Sequence, residues 1–102
     1  PAEKDTAPSC CRHKDRTPEE YRALANRLSR IEGQVRGIRT MLDKDVYCAD
    51  ILVQVAAVNA ALNGFSKELL AQHIRTCVAD DLRAGGTQKL DELLQLLPRL
   101  MK

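Results

Sequence analysis

The chain has 102 residues, of which 29% are charged and 44% hydrophobic, and its net charge is +2. This length suits one small domain, and a core this small predicts that the chain forms oligomers. No uninterrupted run of about 18 apolar residues occurs, and the N-terminus has no apolar segment of the kind found in secretory signals, so we expect a cytoplasmic protein without a membrane span. Aromatic residues make up 3% of the chain, too few for a nucleic-acid-binding protein that stacks bases on aromatic side chains.

A polar N-terminal tail precedes the first predicted helix. Residues 1–16 hold two of the four prolines, which predicts a disordered tail, and residues 17–102 are predicted to form a single helical domain. Thr17 can cap the helix, Pro18 suits its first turn, and Glu20 can complete a capping box with Thr17.

The first helix is predicted to be amphipathic and basic. Apolar residues recur alternately three and four positions apart from Tyr21 to Leu42, which predicts packing against other helices. Gly33 and Gly37 each cost about 1 kcal/mol relative to alanine, so we interpret them as points where another backbone approaches closely. Five arginines and one acid lie between positions 22 and 39. Such an excess of positive charge is either a phosphate-binding surface or an ordinary solvated helix face.

A long central helix is predicted to follow. Residues 42–45 predict a turn, and the second helix is expected to start near position 45 or 46. Because no proline occurs between Pro18 and Pro98, this helix can run unbroken to about Arg83, with Asn63-Gly64 as its only weak point.

A short third helix completes the predicted fold. Gly85-Gly86 is expected to end the central helix, and Thr87 to cap a third helix that ends around Pro98. No alternating strand pattern occurs. The sequence therefore predicts an all-α fold, a three-helix protomer whose central helix is too long for a monomer to cover.

Four cysteines, at positions 10, 11, 48 and 77, are the main candidates for chemistry. In a cytosolic chain, cysteines within helices indicate metal binding, redox sensing or core packing. His73 and Cys77 lie four residues apart and share one helix face, so together they can hold a metal. Taken alone, this pair is more commonly explained by structural burial than by metal binding.

Cys48 lies too far from this pair to join it within one chain. It precedes His73 by 25 residues, and an unbroken helix would separate the two by roughly 37 Å. Two antiparallel copies of the helix could bring Cys48 of one chain to His73 and Cys77 of the other. Such a dimer must cross near position 61, where small alanines cluster, and symmetry gives it two identical sites.

This ligand set favours a soft metal ion. Two thiolates and one imidazole suit three-coordinate Cu(I). Zn(II) usually takes a fourth ligand, and Ni(II) or Co(II) would take more nitrogen or oxygen.

The spacing of Cys48, His73 and Cys77 resembles the Cys-His-Cys signature of the copper-sensing CsoR branch of the CsoR/RcnR repressors. The resemblance extends over about residues 18–97 and includes a Gly-Gln-Val-Arg-Gly-Ile stretch at 33–38. It implies an antiparallel four-helix-bundle dimer and a tetramer made of two dimers. It also implies a repressor that binds operator DNA when metal-free and releases it on binding Cu(I), so that copper-resistance genes are expressed. Shorter matches occur at Asn26-Arg27-Leu28, Tyr47-Cys48 and Gln54-Val55-Ala56-Ala57-Val58.

The resemblance implies hydrogen-bond partners for the metal-binding histidine. Tyr47 and Glu92 fall where a tyrosine and a glutamate are expected to bond the second nitrogen of His73. Because the Glu92 alignment crosses a glycine turn, Asp91 could take its place, or Glu92 could simply be solvated.

The resemblance also implies partners. Arg27 matches a DNA-binding arginine of the family, and we add Arg22 and Arg30 from charge and helical spacing. Some relatives carry an arginine where this chain has Gly64, so DNA contacts at that position do not transfer. Operator DNA, further copies of the chain and a copper chaperone are the expected partners.

Other interpretations remain open at this point. Within the same family, the Cys48 position can serve to sense persulfides or formaldehyde, although such a sensor has no need of His73. A copper-buffering bundle that never binds DNA is a third interpretation, and the basic first helix argues against it. An enzyme is not expected, because no orienting group or oxyanion loop accompanies the Cys-His pair. The tail cluster Cys10-Cys11-Arg12-His13 is either an auxiliary copper or zinc chelator, or a set of incidental thiols.

Overall fold

The computed structural model describes residues 15–100. The predicted tail therefore lies almost wholly outside the described residues, and so do Cys10, Cys11 and His13. The described range is helical and contains no strand, which confirms the all-α prediction. The helices are α1 (Pro18–Asp43), α2 (Cys48–His73), a π-helical segment (Ile74–Val78), α3 (Ala79–Arg83) and α4 (Gln88–Leu100).

The start of α1 confirms the predicted capping box. The Glu20 backbone N–H donates to the Thr17 hydroxyl at 3.1 Å, and the Thr17 N–H donates to the Glu20 carboxylate at 3.0 Å. Pro18 occupies the first turn. Two backbone donors that have no partner within the helix are thereby satisfied.

The turn after α1 lies two residues later than predicted, at residues 44–47. Asp45 has a φ of 55°, and the Val46 N–H donates to the Met41 carbonyl at 3.0 Å. These residues complete the end of α1, in the geometry that usually places a glycine at the left-handed position. The second helix therefore starts two residues after position 46, because Asp45 and Val46 are used to close the first helix. The central helix begins at Cys48.

Residues Arg16–Leu69 form one compact unit, in which α1 and α2 pair. The four-residue connection between them makes the helices antiparallel, and Leu24, Ile31 and Val58 are buried. Much of the remaining apolar surface of these helices is exposed, as expected of a chain that packs against further copies. The large hydrophobic side chains on this surface are Leu28, Val35, Leu42, Leu52, Val53 and Leu62.

Residues 70–100 belong to a second unit, in which α4 packs against the π-helical segment and α3. The central helix is continuous from Cys48 to Arg83, but its irregularity lies at Ile74–Val78 rather than at the predicted Asn63-Gly64. The Thr76 hydroxyl donates to the Gln72 carbonyl at 2.7 Å. Thr40 makes the same kind of bond to the Arg36 carbonyl at 3.2 Å within α1, which stays α-helical, so this bond accompanies the wider turn and does not by itself cause it.

The glycine pair ends the central helix as predicted. Gly85 adopts a φ of 92°, and the Gly86 N–H donates to the Asp81 carbonyl at 2.9 Å. This is the Schellman geometry, in which a left-handed glycine closes the last turn.

The start of α4 has the predicted N-cap residue and a second cap that was not predicted. Thr87 directly precedes Gln88, and its backbone carbonyl accepts the Asp91 N–H at 2.9 Å. Its hydroxyl donates to the Asp91 carboxylate at 3.3 Å, and the Lys89 backbone N–H donates to the Asp81 side chain at 3.0 Å. The side-chain bond to the first turn of α4 therefore comes from Asp81 rather than from Thr87. The end of α4 also differs slightly, since the helix runs through Pro98 to Leu100.

The continuous helix bears on the expected absence of a membrane span. By length and average composition alone, Cys48–Arg83 is apolar enough to cross a bilayer. The expectation that no membrane span is present used a stricter criterion, because it required an uninterrupted run of apolar residues rather than a high average hydropathy. A helix buried between the subunits of an oligomer has the same composition.

Candidate metal centre and DNA-binding surface

The thiol of Cys48 stands at the first position of α2. The cysteine is exposed and free, and the preceding Tyr47 is 74% exposed. The Tyr47 carbonyl accepts the first helical bonds, from Asp50 at 3.0 Å and from Ile51 at 3.3 Å. The helix start thus holds both residues in place while their side chains stay open to a second molecule.

His73 and Cys77 flank the π-helical segment. His73 ends α2 and Cys77 lies within the segment, and both are half-buried. The Thr76 hydroxyl lies 3.8 Å from Sγ of Cys77. An ion bound to both side chains would therefore span the one turn of the central helix that departs from α geometry.

One protomer does not assemble a metal site from its described residues. No group of three His, Cys, Asp or Glu side chains comes together within residues 15–100. Since α2 runs unbroken from Cys48 to His73, its rise of about 1.5 Å per residue keeps their Cα atoms roughly 37 Å apart. A site that uses both residues requires two chains, and this ligand set stays a prediction.

The predicted hydrogen-bond partners of His73 differ in their surroundings. Glu92 is half-buried on α4 and makes no hydrogen bond or ion pair within residues 15–100. Asp91, its alternative, is exposed and accepts the Thr87 hydroxyl. Glu92 is the carboxylate left available to a histidine, and its bond to His73 stays a prediction, as does that of Tyr47.

The three predicted DNA-binding arginines all lie exposed on α1. Arg22, Arg27 and Arg30 form no ion pair within the described part of the chain, whereas Arg39 pairs with Asp43 at 3.4 Å. Because no carboxylate of the described residues occupies these three guanidinium groups, they are available to bind phosphates. Their contacts with DNA stay a prediction.

Three further residues shape these sites without having been predicted to do so. Asp81 caps α4, Thr76 bonds the Gln72 carbonyl at the turn between His73 and Cys77, and Gly64 leaves space for the Arg27 side chain. The first and last effects connect different helices, and so no local sequence signal could reveal them.

Comparison with known proteins decides the family. A family model described as "metal-sensitive transcriptional repressor" matches residues 20–99. The chain belongs to this family. The assignment made from the sequence motifs is confirmed, and this repressor is a regulator rather than an enzyme.

The relatives of the repressor sense metals. It is 46% identical over 88 residues to the copper-sensing transcriptional repressor CsoR of Bacillus subtilis, a match that covers 85% of this chain and 87% of that protein. It superposes on the crystal structure of CsoR with Cu(I) from Geobacillus thermodenitrificans with a TM-score of 0.81 at 42% identity, covering 88% and 95% of the two chains. The nickel-responsive regulator InrS gives a TM-score of 0.68 at 37% identity, over 87% and 98% of the chains.

Proposed function

We propose that this protein is a Cu(I)-responsive repressor that binds operator DNA when metal-free and releases it on binding Cu(I), which derepresses copper-resistance genes. Cys48 of one protomer and His73 and Cys77 of its partner bind the ion. The observation that carries this proposal is the unbroken α2, which begins at Cys48 and ends at His73. An antiparallel partner helix brings opposite ends together and completes two sites per dimer.

The donor set selects copper. A copper-sensing relative and a nickel-responsive one both share this fold, so the fold itself does not choose the metal. Two thiolates and one imidazole are soft donors that suit Cu(I), whereas Ni(II) prefers more nitrogen or oxygen. Tyr47, from the protomer that supplies Cys48, and Glu92 bond the second nitrogen of His73 and thereby fix the ring for metal binding.

The exposed apolar surface of α1 and α2 supports the assembly. Two protomers form an antiparallel four-helix bundle, and two such dimers form the DNA-binding tetramer. Burial of a long apolar face between subunits stabilises the assembly by about 25 cal/mol for each Å² of apolar surface removed from water. The repressor acts in the cytoplasm, where a copper chaperone supplies the ion.

Arg22, Arg27 and Arg30 carry the DNA contact. Contacts with phosphates release counterions, so the affinity for DNA falls steeply with salt concentration. Cu(I) and DNA affect one another reciprocally: the factor by which Cu(I) weakens DNA binding equals the factor by which DNA weakens Cu(I) binding.

Mixed dimers test the shared site. Cys48→Ala and His73→Ala proteins each lack one ligand of every site, so each alone should lose tight Cu(I) binding in an anaerobic competition with a chromophoric chelator. A dimer with one subunit of each kind rebuilds one complete site and leaves the other without either residue. We expect subunit exchange to restore tight binding to half the sites of each mixed dimer. Absence of any recovery after verified exchange would refute the shared site.

A thiol-sensing repressor is the alternative function, and the exposed thiol of Cys48 favours it. Such a sensor would release DNA on persulfide or formaldehyde treatment, and it would still do so when His73 is replaced by alanine. The Cu(I) repressor instead loses its response to copper in that variant. One titration of DNA affinity distinguishes the two functions. It uses the duplex that the wild-type protein selects from random-sequence DNA.

A further inference from the structure

The Asp81 carboxylate connects the end of the central helix to the start of α4. Its Oδ2 accepts the Lys89 backbone N–H at 3.0 Å, across eight residues of chain. Lys89 is the second residue of α4, where backbone donors have no partner within their own helix. The start of α4 is therefore fixed by a side chain that belongs to the preceding helix.

The glycine turn between these helices leaves room for this carboxylate. A Cβ built on Gly86 would lie 3.0 Å from Oδ1 of Asp81, closer than nearly all real Cβ contacts. The Asp81 backbone carbonyl also accepts the Gly86 N–H at 2.9 Å. Asp81 thus holds both the turn and the helix that follows it, and any movement of its backbone is passed on to α4.

Asp81 follows the two predicted ligands at the same interval along the helix. His73, Cys77 and Asp81 are spaced four residues apart, and all three are half-buried. The π-helical segment between the ligands packs against α4, which carries Glu92. An ion bound to His73 and Cys77 constrains that segment, whose wide turn is a less regular part of the helix.

We infer that Asp81 is a positioning residue that passes the effect of metal binding at His73 and Cys77 on to α4, and thereby contributes to the release of DNA. The inference rests on the proposed function. Asp81 binds neither the ion nor DNA in this scheme, so its loss should reduce the coupling between the two ligands while leaving each affinity intact.

The neighbouring Asp80 provides a matched control. It pairs with Arg83 at 2.7 Å, and these two side chains are 72% and 73% exposed. Asp80→Ala removes the same charge from the same helix without uncapping α4. Asp81→Asn removes the charge but keeps an oxygen that can accept the Lys89 N–H.

The experiment measures three quantities on the full-length chain. They are Cu(I) affinity by chelator competition, affinity for the wild-type-selected duplex with and without Cu(I), and hydrogen exchange of the Lys89 amide. For Asp81→Ala we expect nearly unchanged Cu(I) affinity and metal-free DNA affinity, faster exchange at Lys89, and a Cu(I)-induced loss of DNA affinity at least about tenfold smaller than in the wild type. Asp80→Ala and Asp81→Asn should resemble the wild type.

Each contrary outcome has a distinct meaning. Wild-type coupling in Asp81→Ala despite faster Lys89 exchange overturns the inference, because the cap is then broken without consequence. Equal loss in Asp80→Ala and Asp81→Ala overturns it as well, since the effect then follows charge. If wild-type protein itself keeps its DNA in the presence of Cu(I), the proposed function is wrong, and the inference falls with it.

Discussion

The guanidinium of Arg27 lies against α2 at Gly64: a Cβ built on Gly64 would stand 2.9 Å from Nη1 of Arg27. Real Cβ atoms do not approach a heavy atom so closely, so the absence of a side chain at position 64 is what leaves room for this arginine. Gly64 therefore sets the position of the predicted DNA contact.

Gly64→Ala tests this relationship. The methyl group should displace the end of the flexible Arg27 side chain, while α2 gains about 1 kcal/mol of helix propensity. We expect stability to hold or rise and metal-free DNA affinity to fall, with a shallower dependence on salt. Salt-dependent DNA titrations and denaturant unfolding provide the two readouts.

A double-mutant cycle with Arg27→Ala is the control. Arg27→Ala alone should weaken binding and lower the slope of the salt dependence by about 1. In that background Gly64→Ala should have no further effect on DNA binding. An equal loss in both backgrounds would show that Gly64 acts independently of Arg27.

Sequence patterns predicted those parts of the fold that depend on neighbouring residues. The Thr17–Glu20 capping box and the Gly85-Gly86 helix end use residues within one turn of each other, and both are found where expected. The spacing of His73 and Cys77 on one helix is likewise a local feature. The family assignment rested on such motifs and is confirmed.

The features that escaped prediction are tertiary contacts or departures from regular backbone geometry. Asp81 adds a cap to α4 across eight residues of chain, whereas the local pattern pointed to Thr87 alone. The wide turn at Ile74–Val78 has no local signal in the sequence, because the hydroxyl bond made by Thr76 is also made by Thr40 within the regular helix α1. Asp45 takes the left-handed position that a glycine would normally mark, so the end of α1 was misplaced.

Thr76→Val removes the hydroxyl bond to the Gln72 carbonyl and keeps the size of the side chain. The part-buried bond is 2.7 Å long, so we expect a loss of about 1 kcal/mol in the free energy of unfolding. Because Thr76 lies between His73 and Cys77, loss of this bond should also loosen the turn that carries both ligands and weaken Cu(I) binding. Thr76→Ser keeps the hydroxyl and should retain most of both properties. Denaturant unfolding and chelator competition measure the two effects, and a Thr76→Val protein with unchanged Cu(I) affinity would separate the turn from the metal site.

Asp45→Gly should stabilise the protein. Asp45 has a φ of 55°, a conformation that costs a residue with a Cβ roughly 1 kcal/mol and costs glycine little. The neighbouring Lys44 has a φ of −95°, so Lys44→Gly relieves nothing and should be neutral or destabilising. Thermal unfolding must be compared at one protein concentration, because oligomer dissociation contributes to the midpoint. Equal effects of the two substitutions would refute the explanation from backbone conformation.

Gly33→Ala and Gly37→Ala test what approaches the exposed face of α1. Within the described part of the protomer, a Cβ at either position would meet nothing within 4 Å, so each alanine should raise helix stability by about 1 kcal/mol. The cost of the two glycines in helix propensity has no steric reason within the described protomer, which indicates that another copy of the chain approaches closely there. We expect the double variant to unfold less readily but to dissociate from tetramer to dimer in sedimentation experiments. Ser29→Ala, at an exposed position of the same helix, should leave assembly unchanged. A double variant that is more stable and still tetrameric would show that no second backbone lies against these glycines.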